Sequence, residues 1–216
     1  MVMTIAVVDY GMGNLRSVAK ALEHVAGRAR IAVSADPALI RAADRVVFPG
    51  VGALGDCMAE LGRLGLIEAL RDAIATKPVL GICLGMQALL ERSEESGGTV
   101  GLGTIPGESL VFEGTMRDEQ GRRFKVPHMG WNCVHQCSTH PMWHGIEQNS
   151  RFYFVHSYFV KPDDPQVVAA TTQYGLEFVS AIVRNNLFAV QFHPEKSQHA
   201  GLTLLRNFVA WDGRCE

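Results

Sequence analysis

The sequence lacks the features that would place the chain in a membrane or on a nucleic acid. No apolar run approaches the ~18 residues needed to span a bilayer. The charged residues, 19% of the chain, nearly cancel to a formal net charge of −2. Because there is no excess of positive charge, nothing attracts the chain to a phosphate backbone or an anionic lipid surface. We therefore expect its partners to be a small molecule or another protein.

Cysteine is also scarce, at 5 of 216 residues. An odd and low count predicts free thiols rather than a disulfide framework. The first residues, Met1 to Ile5, carry no basic segment ahead of an apolar one and predict a β-strand rather than a signal peptide. Together these features predict a cytoplasmic protein.

The first half of the chain alternates between short apolar strands and amphipathic helices. The predicted strands are 5–8, 31–33, 46–48 and 78–82. The predicted helices are 15–25, 37–43, 54–75 with a break near 62–65, and 84–91. Strands that alternate with helices predict an α/β fold in which helices cover both faces of a parallel sheet.

The second half of the chain is mostly strand-like and predicts antiparallel additions to the same sheet. The candidate strands are 110–112, 124–126, 152–155, 167–170, 178–183 and 187–192, followed by an amphipathic helix at 198–211. Neither a repeat nor a low-complexity linker interrupts the chain. We expect one domain over residues 1–216.

The segment Gly81-Ile82-Cys83-Leu84-Gly85 predicts a nucleophile at a sharp turn from strand to helix. Small residues two before and two after Cys83 leave room for such a turn. A helix N-terminus there would favour the thiolate, and the Leu84 N–H could stabilise an oxyanion. The alternative is that Cys83 is a small buried apolar residue, as most free cysteines are. Cys57 and Cys215 lie in helical patterns and are interpreted as structural or incidental.

Two further segments supply the other parts that cysteine catalysis needs. Pro49-Gly50-Val51-Gly52 follows a predicted strand and could direct backbone N–H groups into a cleft, although a plain turn explains it better when taken alone. Pro194 disfavours a helical conformation at His193, so His193 and Glu195 should point the same way. An imidazole that a carboxylate orients can act as the general base of cysteine catalysis. The alternative is that the segment is an ordinary polar loop. The sequence alone does not bring His193 to Cys83.

Together, segments 49–52, 81–87 and 193–195 resemble the oxyanion strand, the G-x-C-x-G-x-Q elbow and the C-terminal H-P-E of class I (triad) glutamine amidotransferases. The resemblance implies the flavodoxin-like fold of that class, a three-layer open mixed sheet that is mostly parallel. It implies glutamine hydrolysis without a cofactor by a triad of Cys83, His193 and Glu195. The implied oxyanion hole comprises backbone N–H groups of Gly50, Val51, Gly52 and Leu84.

The same resemblance implies a binding site for the substrate glutamine. Gln87 and Glu95 match positions that bind the α-amino end and the amide region, and the backbone of Ser157 and Tyr158 matches the stretch that binds the carboxylate. The alternatives are an exposed helix residue for Gln87 and a solvated loop charge for Glu95.

Segments 9–17, 127–132, 154–158 and 193–197 resemble the histidine-pathway branch of the class, the HisH-type glutaminase subunits of imidazole glycerol phosphate synthase. That branch implies a heterodimer with a cyclase subunit (HisF type) that receives the ammonia. The implied interface positions are Asn14, Trp131, Asn132 and Lys196. A core tryptophan is the alternative for Trp131. For the whole chain, the alternatives are service to an anthranilate, GMP or pyridoxal phosphate synthase, a non-catalytic scaffold, and a cysteine hydrolase of other amides.

A metal site is a weaker hypothesis, carried by Cys133, His135 and Cys137. These alternate as they would on one face of a strand, with His140 and His144 nearby, and soft ligands of this kind can hold zinc. The spacing matches no common zinc pattern, so no metal is expected. A dinucleotide is not expected either, because Arg16 stands where the third glycine of the loop beginning at Gly11 should be.

Overall fold

The structure, a computed structural model of the chain, describes residues 2–117 and 120–214. Its strands are β1 Thr4–Val8, β2 Arg30–Ser34, β3 Arg45–Gly50, β4 Val79–Cys83, β5 Leu90–Ser93, β6 Thr99–Val100, β7 Ile105–Val111, β8 His128–Cys133, β9 His135–Gln136, β10 Arg151–His156, β11 Tyr158–Pro162, β12 Val168–Tyr174, β13 Leu176–Arg184 and β14 Leu187–Val190. Its helices are α1 Leu15–Val25, α2 Pro37–Ala42, α3 Leu54–Arg63, α4 Leu66–Thr76, α5 Leu84–Gln87 and α6 Gln198–Ala210.

One large sheet has the strand order β2-β1-β3-β4-β14-β13-β11-β7-β5-β6, and β12 and β9 extend it beside β13. The strands from β2 to β14 in this order run parallel, and β13, β11 and β7 continue antiparallel. Strands β8 and β10 form a separate antiparallel ribbon. The open mixed sheet predicted from the sequence is confirmed.

The helices lie on both faces of this sheet, as predicted. One apolar core holds buried residues of α2, α3 and α4, among them Ile40 and Leu61. The other core holds buried residues of α1 and α6, among them Leu22 and Phe208. Because both faces are covered, every residue of β4 and β14 is buried, which explains their unbroken apolar sequences.

Local signals account for several helix boundaries. The side chains of Asn14 and Asp36 accept backbone N–H groups at the starts of α1 and α2. The predicted break near 62–65 separates α3 from α4, and Gly65 there has a φ of 68°. These helices match the predictions to within one or two residues.

The helix predicted over 84–91 is wrong beyond its first turn. Helix α5 ends at Gln87, and Leu90 begins β5, which pairs with β7 and β6. A helical repeat and a buried strand both present apolar residues at these positions, so the pairing partners decide between them. Gly101 allows this arrangement, because a Cβ there would collide with the carbonyl oxygen of Leu90.

The second half contains three further differences. Residues 124–126 form no strand, and the nearest pairing is an isolated bridge between Arg117 and Arg123. Strands β8, β9 and β11 were not predicted. Strand β14 runs parallel to β4, not antiparallel. It follows β13 in an antiparallel hairpin, and this reversal gives β14 the direction of the parallel strands. Among residues 2–117 and 120–214, no helix combines the length and apolar character needed to cross a membrane.

Candidate active site

Cys83 lies at the sharp turn between β4 and α5 that the sequence predicts. Its φ of 54° and ψ of −108° lie outside the regions that non-glycine residues usually adopt. The flanking glycines are required sterically. A Cβ at Gly85 would collide with the carbonyl oxygen of Phe48, and one at Gly81 would lie 2.9 Å from the Cβ of Ala189. The turn leaves Cys83 6% exposed.

The helix that follows Cys83 is shorter than expected. Helix α5 has four residues, so it contributes little of the macrodipole expected to favour the thiolate. The backbone N–H groups of its first turn, including that of Leu84, still have no helical acceptor. Stabilisation of negative charge at this site therefore depends on individual donors.

His193 and Glu195 form a buried pair. The Nδ1 of His193 and the Oε1 of Glu195 are 2.8 Å apart, and the two side chains are 2% and 1% exposed. His193 has the extended conformation predicted from Pro194, but Glu195 lies in a 3₁₀ turn, Pro194–Lys196. The turn, and not the alternation of an extended strand, therefore directs the carboxylate to the imidazole.

The backbone of His193 is held by the ribbon of β8 and β10. Its N–H donates to the carbonyl oxygen of Tyr153 at 2.9 Å. The Ser197 hydroxyl donates to the carbonyl oxygen of His193 at 2.6 Å and accepts the N–H of Tyr153 at 2.9 Å. The position of the imidazole is therefore fixed by two neighbouring segments.

His193 also interacts with Cys83, which the sequence could not establish. Burial alone would lower the pKa of His193, but its interactions with the Cys83 sulfur and the Glu195 carboxylate outweigh burial and raise the pKa to about 9. The other imidazole nitrogen, Nε2, is buried and has no hydrogen bond of ordinary geometry. This arrangement favours an imidazolium and leaves Nε2 available for proton transfer.

A cavity of about 420 Å³ opens beside the Cys83 sulfur. Its walls are Val51, Gly52, Cys83, Leu84, Gln87, Glu95, Pro127, Val155, His156, Ser157 and Tyr158. It therefore collects most of the predicted substrate and oxyanion positions. A larger cavity of about 610 Å³ lies between Trp131 and the start of α6, but Cys83 does not line it. Chemistry is consequently assigned to the smaller cavity.

The predicted oxyanion segment lies against the nucleophile turn, with Gly50 opposite Cys83 in the pairing of β3 and β4. Gly50 is required there, because a Cβ would collide with the hydroxyl of Tyr10 and come within 2.9 Å of the Leu84 Cβ. The Tyr10 hydroxyl also donates to the Pro49 carbonyl oxygen at 3.1 Å. The segment is thus packed closely enough to contribute backbone donors.

Gln87 and Glu95 are both anchored at the cavity wall. The Gln87 Nε2 donates to the carbonyl oxygen of Tyr158 at 3.0 Å and to the Oε1 of Gln191 at 3.1 Å. The Glu95 carboxylate accepts the N–H of Leu54 and so caps α3, which has no side-chain cap of its own at Ala53. Neither residue is an exposed, solvated side chain.

Sequence reasoning missed Gln191, a completely buried residue whose Nε2 donates to the Cys83 sulfur at 3.6 Å. A signal was present, because Gln191 precedes His193 by two residues at the end of a strand. Extended residues two apart point the same way.

A buried pair of histidines was also missed. The His128 Nδ1 lies 2.9 Å from the His156 Nε2, and the His156 Nδ1 donates to the carbonyl oxygen of Tyr158 at 2.8 Å. The Asn132 Nδ2 lies 3.3 Å from the remaining His128 nitrogen. Burial lowers the pKa of His128 to about 4 and, as the largest cause, that of His156 to about 3. Both rings are therefore neutral near pH 7.

The predicted interface positions differ in their surroundings. Trp131 is 38% exposed and lies edge-on to the Tyr153 ring, whose face the Lys196 ammonium covers at 5.8 Å. Asn14 is exposed at the start of α1. The Asn132 side chain instead donates to the Gln173 carbonyl oxygen at 2.8 Å.

The residues of the metal hypothesis do not converge. Across the part of the chain that the structure describes, no three His, Cys, Asp or Glu side chains are arranged to hold a metal ion. The His135 Nδ1 lies 3.2 Å from the Asn149 Oδ1, and the Cys137 sulfur lies 3.9 Å from the Thr171 hydroxyl oxygen. Cys57, Cys83, Cys133 and Cys137 are free thiols, and Cys215 lies outside the described residues.

Comparison with known proteins identifies relatives over almost the entire chain. Residues 6–211 match the family model "Glutamine amidotransferase class-I". The chain is 58% identical over 214 residues to imidazole glycerol phosphate synthase subunit HisH 1 of Pseudomonas aeruginosa, covering 99% of this chain and 100% of that protein. It is 59% identical over 208 residues to the HisH subunit of Aromatoleum aromaticum, covering 96% and 98%.

Solved structures share the fold at much lower identity. The PurLQS structure from Thermotoga maritima matches with a TM-score of 0.70 at 16% identity, covering 97% of this chain and 99% of that one. A crystal structure of a glutamine amidotransferase matches with a TM-score of 0.69 at 16% identity, covering 95% and 97%. These matches agree with the open mixed sheet described above.

Proposed function

The chain belongs to the class I glutamine amidotransferases and, among them, to the HisH subunits of imidazole glycerol phosphate synthase, and on this basis we propose that it hydrolyses L-glutamine and delivers the ammonia to a cyclase subunit. One observation carries the proposal: a thiol at residue 83 interacts with a buried imidazole that Glu195 holds. The adjoining cavity is large enough for an amino acid.

The first half of the reaction forms a thioester. The Cys83 thiolate attacks the side-chain amide carbon of glutamine, and the oxyanion accepts hydrogen bonds from the N–H of Leu84 and of the 50–52 segment. The His193 imidazolium gives its Nε2 proton to the leaving nitrogen, which departs as ammonia. Glu195 holds the ring in position and stabilises its positive charge.

The second half hydrolyses the thioester. The neutral His193 takes a proton from water, the hydroxide attacks the glutamyl carbon, and the Cys83 thiolate departs. Glutamate is released and the imidazolium is restored. A thiolate and backbone donors suffice for this chemistry, so we expect neither a cofactor nor a metal.

Polar groups at the cavity wall suit the ends of the substrate. The Glu95 carboxylate would attract the α-ammonium group, and Gln87 borders the same space. The backbone at Ser157 and Tyr158 would bind the α-carboxylate. Both hydrogens of the Gln87 Nε2 already have acceptors, so Gln87 would act on the substrate through its carbonyl oxygen or through its neighbours.

The proposed partner is a cyclase subunit of the HisF type in a heterodimer. The exposed side chains of Met129 and Trp131 project from β8, and Pro127 of the same segment borders the cavity. Exposed apolar side chains on a segment that also borders the cavity fit a surface that a partner covers. The proposed interface also includes Asn14, Asn132 and Lys196.

The two cores flank a single sheet, which supports one domain over residues 1–216. Exposed free thiols at Cys133 and Cys137 favour a reducing compartment, so we place the enzyme in the cytoplasm.

The test mixes the chain with a HisF-type cyclase and measures glutamate formation with and without the nucleotide substrate of the cyclase. Glutamine hydrolysis should rise when the cyclase is occupied. Cys83→Ala should abolish glutamine-dependent synthesis, while free ammonia still supports the cyclase. Glutamine-dependent synthesis by Cys83→Ala would refute the nucleophile. Stimulation by an anthranilate or GMP synthase, and not by the cyclase, would refute the partner.

A further inference from the structure

The environment of the Cys83 sulfur includes one side-chain donor that the reaction described above does not use. The Nε2 of Gln191 lies 3.6 Å from the sulfur, and Gln191 is completely buried. A buried amide needs partners for its polar atoms. Here one of those partners is the atom that reacts.

The orientation of the Gln191 amide follows from its neighbours. The Tyr158 carbonyl oxygen can only accept, so the Gln87 nitrogen must face it. That same nitrogen can only donate, so the oxygen of Gln191 must face Gln87. The NH₂ group of Gln191 is therefore directed towards the sulfur.

We propose that Gln191 is a catalytic residue whose amide N–H stabilises the Cys83 thiolate, and that Gln87 is the positioning residue that sets the orientation of this amide. The inference rests on the proposed function for its role in turnover. Its effect on the thiolate holds whatever amide is hydrolysed.

The Gln191 donor adds to the His193 imidazolium, because other features of the site stabilise the thiolate only weakly or oppose it. The helix after Cys83 is a single turn, so its dipole is small. The Val155 carbonyl oxygen, 3.9 Å from the sulfur, presents negative charge and favours the thiol. A donated hydrogen bond favours the charged form and opposes this effect.

The same hydrogen bond acts twice in the reaction. It favours the attacking thiolate in the first half, and it stabilises the sulfur when the thiolate leaves the glutamyl carbon in the second half. Because Gln87 also holds the Tyr158 carbonyl oxygen, the chain of bonds joins the substrate-binding backbone to the sulfur. A displacement of the Tyr158 backbone would therefore move the side-chain amides of Gln87 and Gln191 and change the hydrogen bond to the sulfur.

The experiment measures the rate at which iodoacetamide alkylates Cys83 as a function of pH, with peptide mass spectrometry separating Cys83 from the other cysteines. Gln191→Met keeps the volume of the side chain and removes both polar atoms. We expect the pH of half-maximal alkylation to move up by about one unit relative to the wild type. Gln191→Glu presents an acceptor to the sulfur and should move the pH of half-maximal alkylation further up.

Ser180→Ala is the matched control. Ser180 is buried, its carbonyl oxygen accepts the Gln191 N–H at 2.9 Å, and its hydroxyl has no hydrogen-bond partner. Removing this hydroxyl disturbs the same packing without touching the sulfur, so the alkylation profile should match that of the wild type. An equal shift in Ser180→Ala would assign the effect to packing and overturn the proposal.

Gln87→Leu tests the positioning role. Its pH of half-maximal alkylation should lie between that of the wild type and that of Gln191→Met. Identical profiles for the wild type, Gln191→Met and Gln191→Glu would overturn the proposal. If Gln191→Met fails to fold, Gln191→Glu decides alone, because it keeps the oxygen that accepts from Gln87. Since alkylation requires no glutamine, failure of the proposed function would show separately as absent glutamine turnover in the wild type.

Discussion

At the scale of single residues, the charge of His193 ties catalysis to stability. Its folded pKa of about 9 lies above the ~6.5 of an unfolded histidine, because Cys83 and Glu195 outweigh burial. The stabilisation is therefore fully present below about pH 6.5 and is lost as the pH rises through about 9. The imidazolium that is proposed to protonate the leaving nitrogen thus also stabilises the fold.

Glu195→Gln should reduce this alkaline loss, because it keeps the shape of the side chain and removes the charge. Urea unfolding at pH 6.5 and pH 9.5 should show a smaller difference in the free energy of unfolding than in the wild type. The turnover number should also fall by about 100-fold, the lower end of what general acid–base catalysis contributes. Glu60→Gln, which removes a carboxylate that pairs with Arg63 on the surface of α3, is the control. An unchanged pH difference in Glu195→Gln would contradict the role of the pair.

Individual residues also show what the sequence could and could not provide. The glycines around Cys83 and the Pro194 beside His193 act locally, so the sharp turn and the extended His193 were predicted correctly. The 3₁₀ turn that directs Glu195 to the imidazole was not predicted. The link from His193 to Cys83 and the contact of Gln191 with the sulfur join residues about 110 positions apart. No local sequence pattern predicts contacts over such distances. Only the resemblance to a family predicted that the three triad residues would be neighbours.

At the scale of elements, the ribbon of β8 and β10 places two neutral histidines next to the backbone that is proposed to bind the substrate. His128 and His156 face each other across paired strands, and His156 holds the Tyr158 carbonyl oxygen. Burial lowers the pKa of His128, and also that of His140, to about 4, while His156 falls to about 3. Their contribution to stability is complete above about pH 6.5 and is lost below it, because only the unfolded chain takes up the protons.

The free energy of unfolding should therefore fall steeply between pH 6.5 and about pH 4, by up to about 1.4 kcal/mol per pH unit for each of these histidines. His128→Gln, which keeps a donor for His156, should reduce this slope by the contribution of one histidine. Urea unfolding across the pH range measures it. The exposed His24 on α1 provides the control, and an equal reduction in His24→Gln would refute the explanation.

Errors in predicting elements were concentrated in the same half of the chain as this ribbon. Strand β8 contains Gly130 and two polar residues, so it shows no clean alternation of apolar and polar positions. Its stability comes from pairing with β10, a long-range contact. The predicted length of helix α5 was wrong for a related reason. Leu90 pairs with β7 and so belongs to a strand that its local sequence does not specify.

At the scale of the whole molecule, the candidate site lies at the C-terminal ends of the parallel strands. Cys83 ends β4, and Trp131 and Met129 project from the ribbon whose β10 contacts His193. The proposed partner surface and the proposed chemistry therefore share one end of the protein. This geometry would keep the path of the ammonia short.

Trp131→Ala should weaken binding to the cyclase by about 10- to 100-fold, as expected when a large aromatic residue is removed from an interface. Isothermal titration calorimetry with the HisF-type subunit measures it. Val2→Ala removes an exposed apolar side chain before β1, at the opposite ends of the parallel strands, and should leave the affinity unchanged. Equal affinities for the wild type and Trp131→Ala would show that Trp131 does not belong to the interface.

The two cores meet at the reactive turn, since Cys83 packs in one core and Leu84 in the other. A substitution that loosens or tightens the packing of either helical layer would consequently change the position of the sulfur. A directed-evolution campaign for thermal tolerance should therefore recover compensating changes in both layers rather than in one.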